Sequence, residues 1–385
     1  EDMKITGLET YHVRPRWLFL KITTDEGICG WGEPVVEGKS RTVAMAVREF
    51  GEAILGRNPL HIEAIWQQLY RGSFYRGGPV LTSALSGIEQ ALWDIKGKAL
   101  GVPVYDLLGG PVRQQIRMYT HIKKVGAQAD FPVETMVETA RQLCARGFTA
   151  LKYSIIPPVR AVESLQALHE HAARFQAVRE AIGPAVDLAI DFHGRVGPGT
   201  AQRLITMLEP FYPWFVEEAV LPENAAVMAQ IARGTPVPLA SGERLFTRWG
   251  FRELLDSQAV KIIQPDLCHV GGIFEARKLA AMAEIYYMSV APHNPLGPVS
   301  LAACLQLDAC IPNFLAQEYP GMADGLDLGQ GILRRPFTVI DGSIAIPEGP
   351  GLGIEVDEQA LAALAYDGIW ESPTLTYDDG SLADW

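Results

Sequence analysis

The sequence predicts an α/β fold in which a parallel β-barrel follows a smaller α+β unit. From residue 115 onward, short apolar runs alternate with amphipathic helices. Strand patterns and then helices come before them, and no Gly-x-Gly-x-x-Gly motif follows any run. Alternating strands and helices are typical of a parallel sheet, and the missing glycine motif disfavours an open dinucleotide-binding sheet, so a barrel is expected.

The α+β unit begins with strands and continues with helices. Alternating apolar residues over 3–33 predict a hairpin or meander, with a reversal at the Asp-Glu-Gly turn of residues 24–27. Helical periodicity follows over 40–55, 60–71 and 80–100. Strands followed by helices indicate an α+β unit of about 110 residues.

Eight apolar runs, each short enough to be a strand buried on both faces, predict the barrel. They span residues 115–119, 150–153, 186–190, 214–216, 238–240, 261–263, 288–291 and 313–316. The helices predicted between them span residues 133–146, 160–182, 199–209, 224–233, 248–257, 273–286 and 299–309. After residue 320 the chain becomes rich in loops, with strand-like runs at 337–340 and 343–346.

We therefore expect three parts: an α+β unit over 3–112, a barrel over 113–320 and a carboxy-terminal segment over 321–385. Met3 is typical of an initiator methionine, so the first part is counted from there.

The composition narrows the classes of function. The 385 residues include 33 Lys and Arg against 45 Asp and Glu, a formal net charge of −12. An acidic chain without a basic run disfavours nucleic acid binding. No apolar run approaches the ~18 residues of a membrane span and no secretory leader is evident, so a soluble, cytoplasmic protein is expected. The five scattered cysteines predict neither a disulfide framework nor a zinc site.

Polar residues follow most of the predicted strands at the same point. They are Asp191, Glu217, Glu243, Asp266, His293 and Glu318, about 25 residues apart, or one β/α unit. The carboxyl ends of barrel strands meet at one mouth, where barrel enzymes do their chemistry. A single carboxylate there is more often a helix cap, but capping predicts no common register across six units. An active site is therefore expected at this mouth.

The residue types indicate the chemistry of the mouth. Three carboxylates lie on adjacent strand ends: Asp191, Glu217 and Glu243. Their ligand atoms are all oxygens, which suits Mg²⁺. A bound cation would also let an acidic protein bind an anionic substrate. Asp266, one strand before His293, is placed to orient that imidazole and raise its basicity. The side chains able to move protons or donate hydrogen bonds are His193, Asp266, His293 and Glu318.

Several motifs surround these residues: Gly30-Trp-Gly-Glu-Pro34, Asp191-Phe-His-Gly-Arg195, Gln264-Pro-Asp266 and Ala291-Pro-His-Asn-Pro-Leu-Gly-Pro298. With them, the sequence resembles the mandelate-racemase-like branch of the enolase superfamily over essentially the whole chain. The resemblance implies a modified TIM barrel, (β/α)7β, with an α+β amino-terminal capping domain that the carboxy-terminal tail completes.

The resemblance also implies roles for the site residues. Asp191, Glu217 and Glu243 would bind one Mg²⁺ per subunit. The His293–Asp266 pair would remove an α-proton, His193 would protonate a departing 3-hydroxyl, and Glu318 would hydrogen-bond an enolate oxygen. The implied reaction is dehydration of an acid sugar to a 2-keto-3-deoxy sugar acid, with D-galactonate expected first and D-gluconate or D-mannonate as alternatives.

Other members of the superfamily leave two alternatives open. Many carry a second base in a Lys-x-Lys motif, where this chain has Lys152-Tyr153-Ser154. The loss of one lysine disfavours an epimerase, racemase or cycloisomerase. A weakly active protein with a binding role is the other alternative, because residues 154–175 differ from the expected pattern.

The resemblance further implies the substrate contacts and partners. Glu37 and His121 stand where mannonate dehydratases contact substrate, and Lys152 and Arg244 complete the expected set. A small acid sugar is the expected partner, without nucleic acid or membrane. A homo-oligomer is expected, with an octamer as one candidate.

Overall fold

The computed structural model describes residues 2–122 and 131–385. Three strands open the chain: β1 (Ile5–Val13), β2 (Trp17–Thr24) and β3 (Cys29–Gly32). They pair antiparallel in the order β1-β2-β3, as the predicted meander requires.

Helices then cover this sheet: α1 (Ser40–Ile54), α2 (Ile62–Arg71), α3 (Pro79–Leu100) and the short α4 (Val104–Leu107). The contact between α3 and β3 is unusually close, since a Cβ atom on Gly32 would lie 1.9 Å from the main-chain oxygen of Gly87. Glycine at both positions lets the helix and the strand approach.

Eight parallel strands form the barrel: β4 (Gln115–His121), β5 (Ala150–Ser154), β6 (Asp187–Asp191), β7 (Val216–Glu217), β8 (Leu239–Ser241), β9 (Ile262–Ile263), β10 (Ser289–Val290) and β11 (Gln317–Tyr319). They pair in chain order from β4 to β10, and β11 pairs with β4. A parallel bridge between Val290 and Phe314 brings the two ends of the curled sheet together. The predicted parallel barrel is therefore confirmed.

Within residues 2–122 and 131–385, seven α-helices lie between these strands: α5 (Val133–Ala145), α6 (Leu165–Ile182), α7 (Pro198–Leu208), α8 (Ala225–Arg233), α9 (Thr247–Asp256), α10 (Ile273–Glu284) and α11 (Pro298–Cys310). The helix predicted from residue 160 begins at Leu165 instead. Ser164 caps it, because its hydroxyl accepts a hydrogen bond from the Ala167 N–H at 3.1 Å.

The position predicted for the last barrel strand was wrong by a few residues. Within the apolar run 313–316, Phe314 forms only the bridge to Val290, and the ladder with β4 lies at Gln317–Tyr319. Gln317 and Glu318 are polar yet buried, so a search for apolar runs missed them.

One layer of the barrel interior is filled mainly by small side chains. Its members are Tyr119, Ala150, Ala189, Phe215, Ala240, Ile262, Ala291 and Ala316. Tyr119 and Phe215 occupy the space that the alanines leave. This layer is a packed floor and not a pore.

The carboxy-terminal segment contacts both the barrel and the α+β unit. It contains β12 (Ser343–Ala345), α12 (Glu358–Ala363), β13 (Leu375–Thr376) and β14 (Leu382–Ala383). β12 pairs with β4, and β13 pairs with β14. The run 337–340 is not a strand, since only Ile340 bridges Ser343. The boundaries between the three expected parts stay a prediction, with the parts at 3–112, 113–320 and 321–385.

Among the helices of the described residues, none combines the length and apolar character that a membrane span needs.

Candidate active site

Three carboxylates meet at the carboxyl end of the barrel. Asp191 ends β6, Glu217 ends β7 and Glu243 lies just beyond β8. One oxygen atom from each lies within 4.8 Å of the others. The Oε1 atom of Glu217 is buried without a hydrogen-bond partner in the described structure. A mostly buried set of close oxygen atoms, one of them without a hydrogen-bond partner, fits a hard divalent cation such as Mg²⁺.

Lys152, on β5, lies among these carboxylates. Its Nζ atom is 2.7 Å from Glu217 Oε2 and 2.7 Å from Glu318 Oε1. Burial lowers the pKa of Lys152, but the charges of Glu217 and Glu318 outweigh it and hold that pKa well above its usual value. Lys152 therefore carries a positive charge and is not set up to accept a proton.

A histidine and an aspartate form a pair beside the three carboxylates. His293, just beyond β10, has Nδ1 2.8 Å from Asp266 Oδ2 and Nε2 3.5 Å from Glu243 Oε2. Asp266 also accepts a hydrogen bond from the Cys268 N–H at 2.7 Å, which fixes its carboxylate. Burial lowers the pKa of His293, but the charges of Glu243, Glu318 and Asp266 together raise it well above its usual value.

His193 follows Asp191 by two residues and lies in a constrained turn. Its backbone has φ 56°, and its N–H donates to Asp191 Oδ1 at 2.6 Å. Its ring nitrogen Nδ1 is 2.6 Å from the main-chain oxygen of Trp385. Burial lowers the pKa of His193 to about 4. The imidazolium of this side chain is therefore a stronger acid than an ordinary histidine imidazolium.

Glu318 completes the polar cluster from β11. His121 Nε2 lies 2.6 Å from its Oε1 atom, and the Asn294 N–H donates to its Oε2 atom at 2.9 Å. Burial raises the pKa of Glu318, but the positive charges of Lys152 and His293 outweigh it and hold that pKa well below its usual value. Glu318 is thus an ionised acceptor.

Two further predicted residues, Glu37 and Arg244, line the cavity at the carboxyl end of the barrel. Glu37 forms an ion pair with Arg16 at 2.8 Å. Arg244 donates to the main-chain oxygen of His193 at 2.8 Å and to Glu218 Oε2 at 2.7 Å. Both line one cavity of about 650 Å³ together with His121, Lys152, Asp191, His193, Glu243, His293 and Glu318. Glu217 and Asp266 lie behind this lining, fully buried.

Sequence reasoning missed several residues of the cavity wall, among them Arg16, Arg195, His269 and Trp385, and Trp385 is the one that contacts a predicted site residue from the end of the tail. Its main-chain oxygen and its ring both contact His193. Two tryptophans, Trp370 and Trp385, in a loop-rich tail were the available signal, but nothing in their spacing points to the barrel mouth.

The α+β unit fixes the loops that carry the His–Asp pair. Glu33, which follows β3, accepts hydrogen bonds from the N–H groups of Gly297 (2.8 Å) and Ser300 (2.7 Å), at the start of α11. Ser83 on α3 contacts His269, three residues after Asp266, at 2.8 Å between Oγ and Nδ1. The loops that carry Asp266 and His293 are therefore held from outside the barrel as well as by their own strands.

The fold and the site define a class of protein. Residues 135–360 match the family of enolase C-terminal domain-like proteins, and residues 6–109 match the amino-terminal domain of mandelate racemase and muconate lactonizing enzyme. The chain therefore belongs to the mandelate racemase/muconate lactonizing enzyme family of the enolase superfamily. The expected family and fold class are confirmed.

Particular relatives extend over the whole chain. The D-galactonate dehydratase of Xanthomonas euvesicatoria is 46% identical, with 100% of each chain covered, and so is that of Variovorax paradoxus. An enolase superfamily member from Salmonella Typhimurium has a similar structure, with TM-score 0.88 and 32% identity over 94% of this chain and 98% of that one. A mandelate racemase/muconate lactonizing enzyme from Sulfitobacter has TM-score 0.88 and 34% identity over 97% and 99%.

Proposed function

We propose that this protein is a Mg²⁺-dependent dehydratase that converts D-galactonate into 2-keto-3-deoxy-D-galactonate and water. The observation that carries the proposal is one cavity lined by Asp191, Glu243, His193 and His293, with Glu217 beside the two carboxylates and Asp266 hydrogen-bonded to His293 behind the lining. The broader class is an enzyme, a hydro-lyase of sugar acids, and it rests on full-length relatives that are 46% identical.

The three carboxylates would hold the metal ion. Asp191, Glu217 and Glu243 fit it because their oxygen atoms are close, mostly buried and incompletely hydrogen-bonded. When bound, Mg²⁺ stabilises the negative charge that grows on the substrate carboxylate as the α-proton leaves.

His293 is the proposed base. Its Nδ1–H donates to Asp266. Glu243, the first of the charges that raise the pKa of His293, would hold the metal ion instead, so that Nε2 is free to take the proton from C2 of the substrate. The C–H electron pair moves into a double bond between C1 and C2. The Asp266 carboxylate stabilises the imidazolium that results, as its effect on the pKa of His293 requires.

His193 is the proposed acid for the second half of the reaction. As the C3–O bond breaks and a C2–C3 double bond forms, His193 gives a proton to the departing hydroxyl, which leaves as water. The enol then takes a proton at C3 while its C2 hydroxyl group loses one to solvent, which gives the 2-keto-3-deoxy acid. The substrate's negative charge favours protonation of this buried imidazole, which opposes the lowering of its pKa by burial.

Glu318 has a role that depends on its neighbours. An ionised carboxylate accepts hydrogen bonds and donates none. Glu318 would therefore donate to an enolate oxygen only after it receives a proton, and His121, whose Nε2 atom lies 2.6 Å from Glu318 Oε1, is placed to supply it. Glu37, His121 and Arg244 are the proposed contacts of the sugar hydroxyls and carboxylate.

A panel of aldonates tests the proposal. The protein with Mg²⁺ is incubated with D-galactonate, D-gluconate and D-mannonate, and formation of 2-keto-3-deoxy acid is measured. We expect turnover of D-galactonate to be the fastest and to disappear in His293→Asn. His169→Asn, an exposed histidine on α6, is the matched control and should keep full activity. Absence of product from every aldonate would contradict the proposal.

We also propose that the enzyme is cytoplasmic and assembles as a homo-oligomer, with an octamer as one candidate. Phe74 and Tyr75, 91% and 82% exposed on the loop before α3, support contacts between copies. Light scattering measures the subunit number, and a monomer at micromolar concentration would refute the assembly.

A further inference from the structure

The last residues of the chain, 370–385, form a short segment that we name the terminal strap. We propose that the strap is part of the active site, in which Trp385 is a positioning residue that sets the proton-bearing nitrogen of His193. The inference rests on the proposed function, because it assigns a task to the strap in the protonation of the leaving hydroxyl.

The contact between Trp385 and His193 carries the proposal. The main-chain oxygen of Trp385 lies 2.6 Å from Nδ1 of His193, and the two rings are 6.0 Å apart at 71°. A main-chain oxygen only accepts hydrogen bonds, so Nδ1 must carry a hydrogen. The other nitrogen, Nε2, is then the one that exchanges a proton with the substrate.

The main chain and the ring of His193 are held from different directions. Within the barrel, Asp191 accepts from the His193 N–H at 2.6 Å, and Arg244 donates to its main-chain oxygen at 2.8 Å. The strap holds the ring through Trp385. The barrel thus fixes where the histidine is, and the strap fixes which nitrogen is protonated and how the ring is turned.

The hairpin in the middle of the strap is anchored beside the barrel. The β13 and β14 strands pair as a hairpin around residues 377–381. The hydroxyl of Tyr377 donates to the main-chain oxygen of Val159 at 2.9 Å, and the Arg160 guanidinium lies 4.6 Å from the centre of the Tyr377 ring. These contacts join the strap to the loop between β5 and α6.

The first residue of the strap, Trp370, is anchored to the amino-terminal unit. The Trp370 ring lies 6.0 Å from the Trp385 ring, and the Arg16 guanidinium lies 4.8 Å from the centre of the Trp370 ring. Arg16 in turn pairs with Glu37 at 2.8 Å. A continuous set of contacts therefore runs from the Glu37 loop through the strap to the ring of His193.

The chemistry separates this role from a general contribution to folding. His293 removes the α-proton, and His193 protonates the leaving hydroxyl. A poorly oriented His193 therefore slows loss of the hydroxyl while the α-proton still exchanges with solvent. A leaving group that needs no proton, such as fluoride, should not depend on the strap.

The experiment compares three forms of the full enzyme with the wild type: a chain that ends at Asp384, Trp385→Ala and Leu382→Ala. Leu382 belongs to the same strap but is 74% exposed, so its variant is the matched control. For each form we measure D-galactonate dehydration, deuterium incorporation at C2 in D₂O, and fluoride release from 3-deoxy-3-fluoro-D-galactonate.

We expect the shortened chain to lose dehydration activity by about tenfold or more, because general acid catalysis typically contributes about 10²–10⁴-fold. Deuterium incorporation and fluoride release should stay within about threefold of the wild type. Trp385→Ala keeps the main-chain oxygen and should lie between the shortened chain and Leu382→Ala, which should match the wild type. An equal fall in all three rates, or no change in any, would overturn the proposal.

A second measurement does not depend on turnover. Nitrogen NMR of ¹⁵N-histidine-labelled protein reports which ring nitrogen carries hydrogen, and His193→Gln assigns the signal. The wild type should show His193 protonated at Nδ1, and the shortened chain should show a mixture of tautomers. A wild type protonated at Nε2 would refute the role of Trp385. A wild type with the Nδ1 tautomer but no activity on any aldonate would refute the proposed function and leave the positioning contact standing.

Discussion

Lys152 is the residue whose environment most restricts the chemistry of the site. Its ammonium group is buried and lies 2.7 Å from Glu217 and 2.7 Å from Glu318. Racemisation through an enolate needs a base on each face of the substrate, and a lysine held in its charged form is a poor base. The side chain therefore favours proton removal by His293 alone.

Replacement of Lys152 by methionine should destabilise the protein. Lys152→Met leaves two carboxylates buried without their partner, and the loss of one partner from a buried ion pair costs about 3–5 kcal/mol. We expect the free energy of unfolding, measured in urea without added metal, to fall by about that amount. Lys4→Met, at an exposed lysine, is the control and should change it little. A Lys152→Met protein as stable as the wild type would contradict this account of the ion pair.

A substitution of Asp266 tests the proposal that His293 is the base. Asp266→Asn removes the negative charge that helps to raise the pKa of His293, so the imidazole becomes a weaker base. We expect kcat for D-galactonate to fall by about 10²–10⁴-fold, the range for general base catalysis. Deuterium incorporation at C2 should fall in parallel, unlike in the shortened strap.

The exposed Asp256→Asn serves as the control for this substitution. If Asp266→Asn retained C2 exchange while dehydration fell, His293 would not be the base.

At the scale of elements, helices of the amino-terminal unit and of the barrel share polar contacts. Glu89 on α3 accepts hydrogen bonds from the N–H groups of Ile273 (2.7 Å) and Phe274 (2.8 Å), the first residues of α10. Glu33 does the same at the start of α11. The open N–H groups of two barrel helices are therefore satisfied by side chains of another part of the chain.

Helix α11 is buried along its whole length, so its one acidic residue, Asp308, is a carboxyl group buried inside the protein. Neither carboxylate oxygen of Asp308 has a hydrogen-bond partner in the described structure. Burial raises the pKa of Asp308 well above its usual value, and Arg113 only partly opposes this. The folded protein thus holds a proton on Asp308 that the unfolded chain releases near pH 4.

This carboxyl predicts a pH dependence of stability. A folded pKa above the unfolded value stabilises the fold below about pH 4, and that contribution is lost as pH rises through the folded pKa. Asp308→Asn cannot ionise, so we expect it to unfold with a free energy about 1–3 kcal/mol above the wild type at pH 8 and similar to it near pH 4. Urea denaturation at both pH values measures this. A larger gain at the lower pH would contradict the sign.

At the scale of the whole molecule, the metal links the barrel strands. Asp191, Glu217 and Glu243 come from three consecutive strand ends, and their negative charges repel one another when no cation lies between them. A ligand that binds only the folded protein stabilises it by about 2.7 kcal/mol at one hundred times its dissociation constant.

We therefore expect Mg²⁺ to raise the melting temperature of protein treated with EDTA and to restore dehydration. In Glu217→Gln both effects should be much smaller. Calorimetry in EDTA and after Mg²⁺ addition measures the shift, and Na⁺ at equal ionic strength is the control. An equal shift with Na⁺ would show that charge screening, and not a metal site, is responsible.

The sequence by itself predicted the order of strands and helices and the register of the site residues. Every barrel strand except β11 overlaps a predicted apolar run, and the six residues of the predicted mouth follow these runs by a few positions. The closing strand β11 does not follow this pattern. Gln317 and Glu318 are polar, and they are buried only because neighbouring strands pack around them.

Tertiary structure alone decided the contacts between distant parts of the chain. Trp385 meets His193, Glu33 meets α11, and Lys152 pairs with Glu318 across the sheet. These partners are far apart in sequence and share no period or motif. A pattern in the sequence reports what a segment does locally, whereas the approach of two remote segments depends on the packing of everything between them.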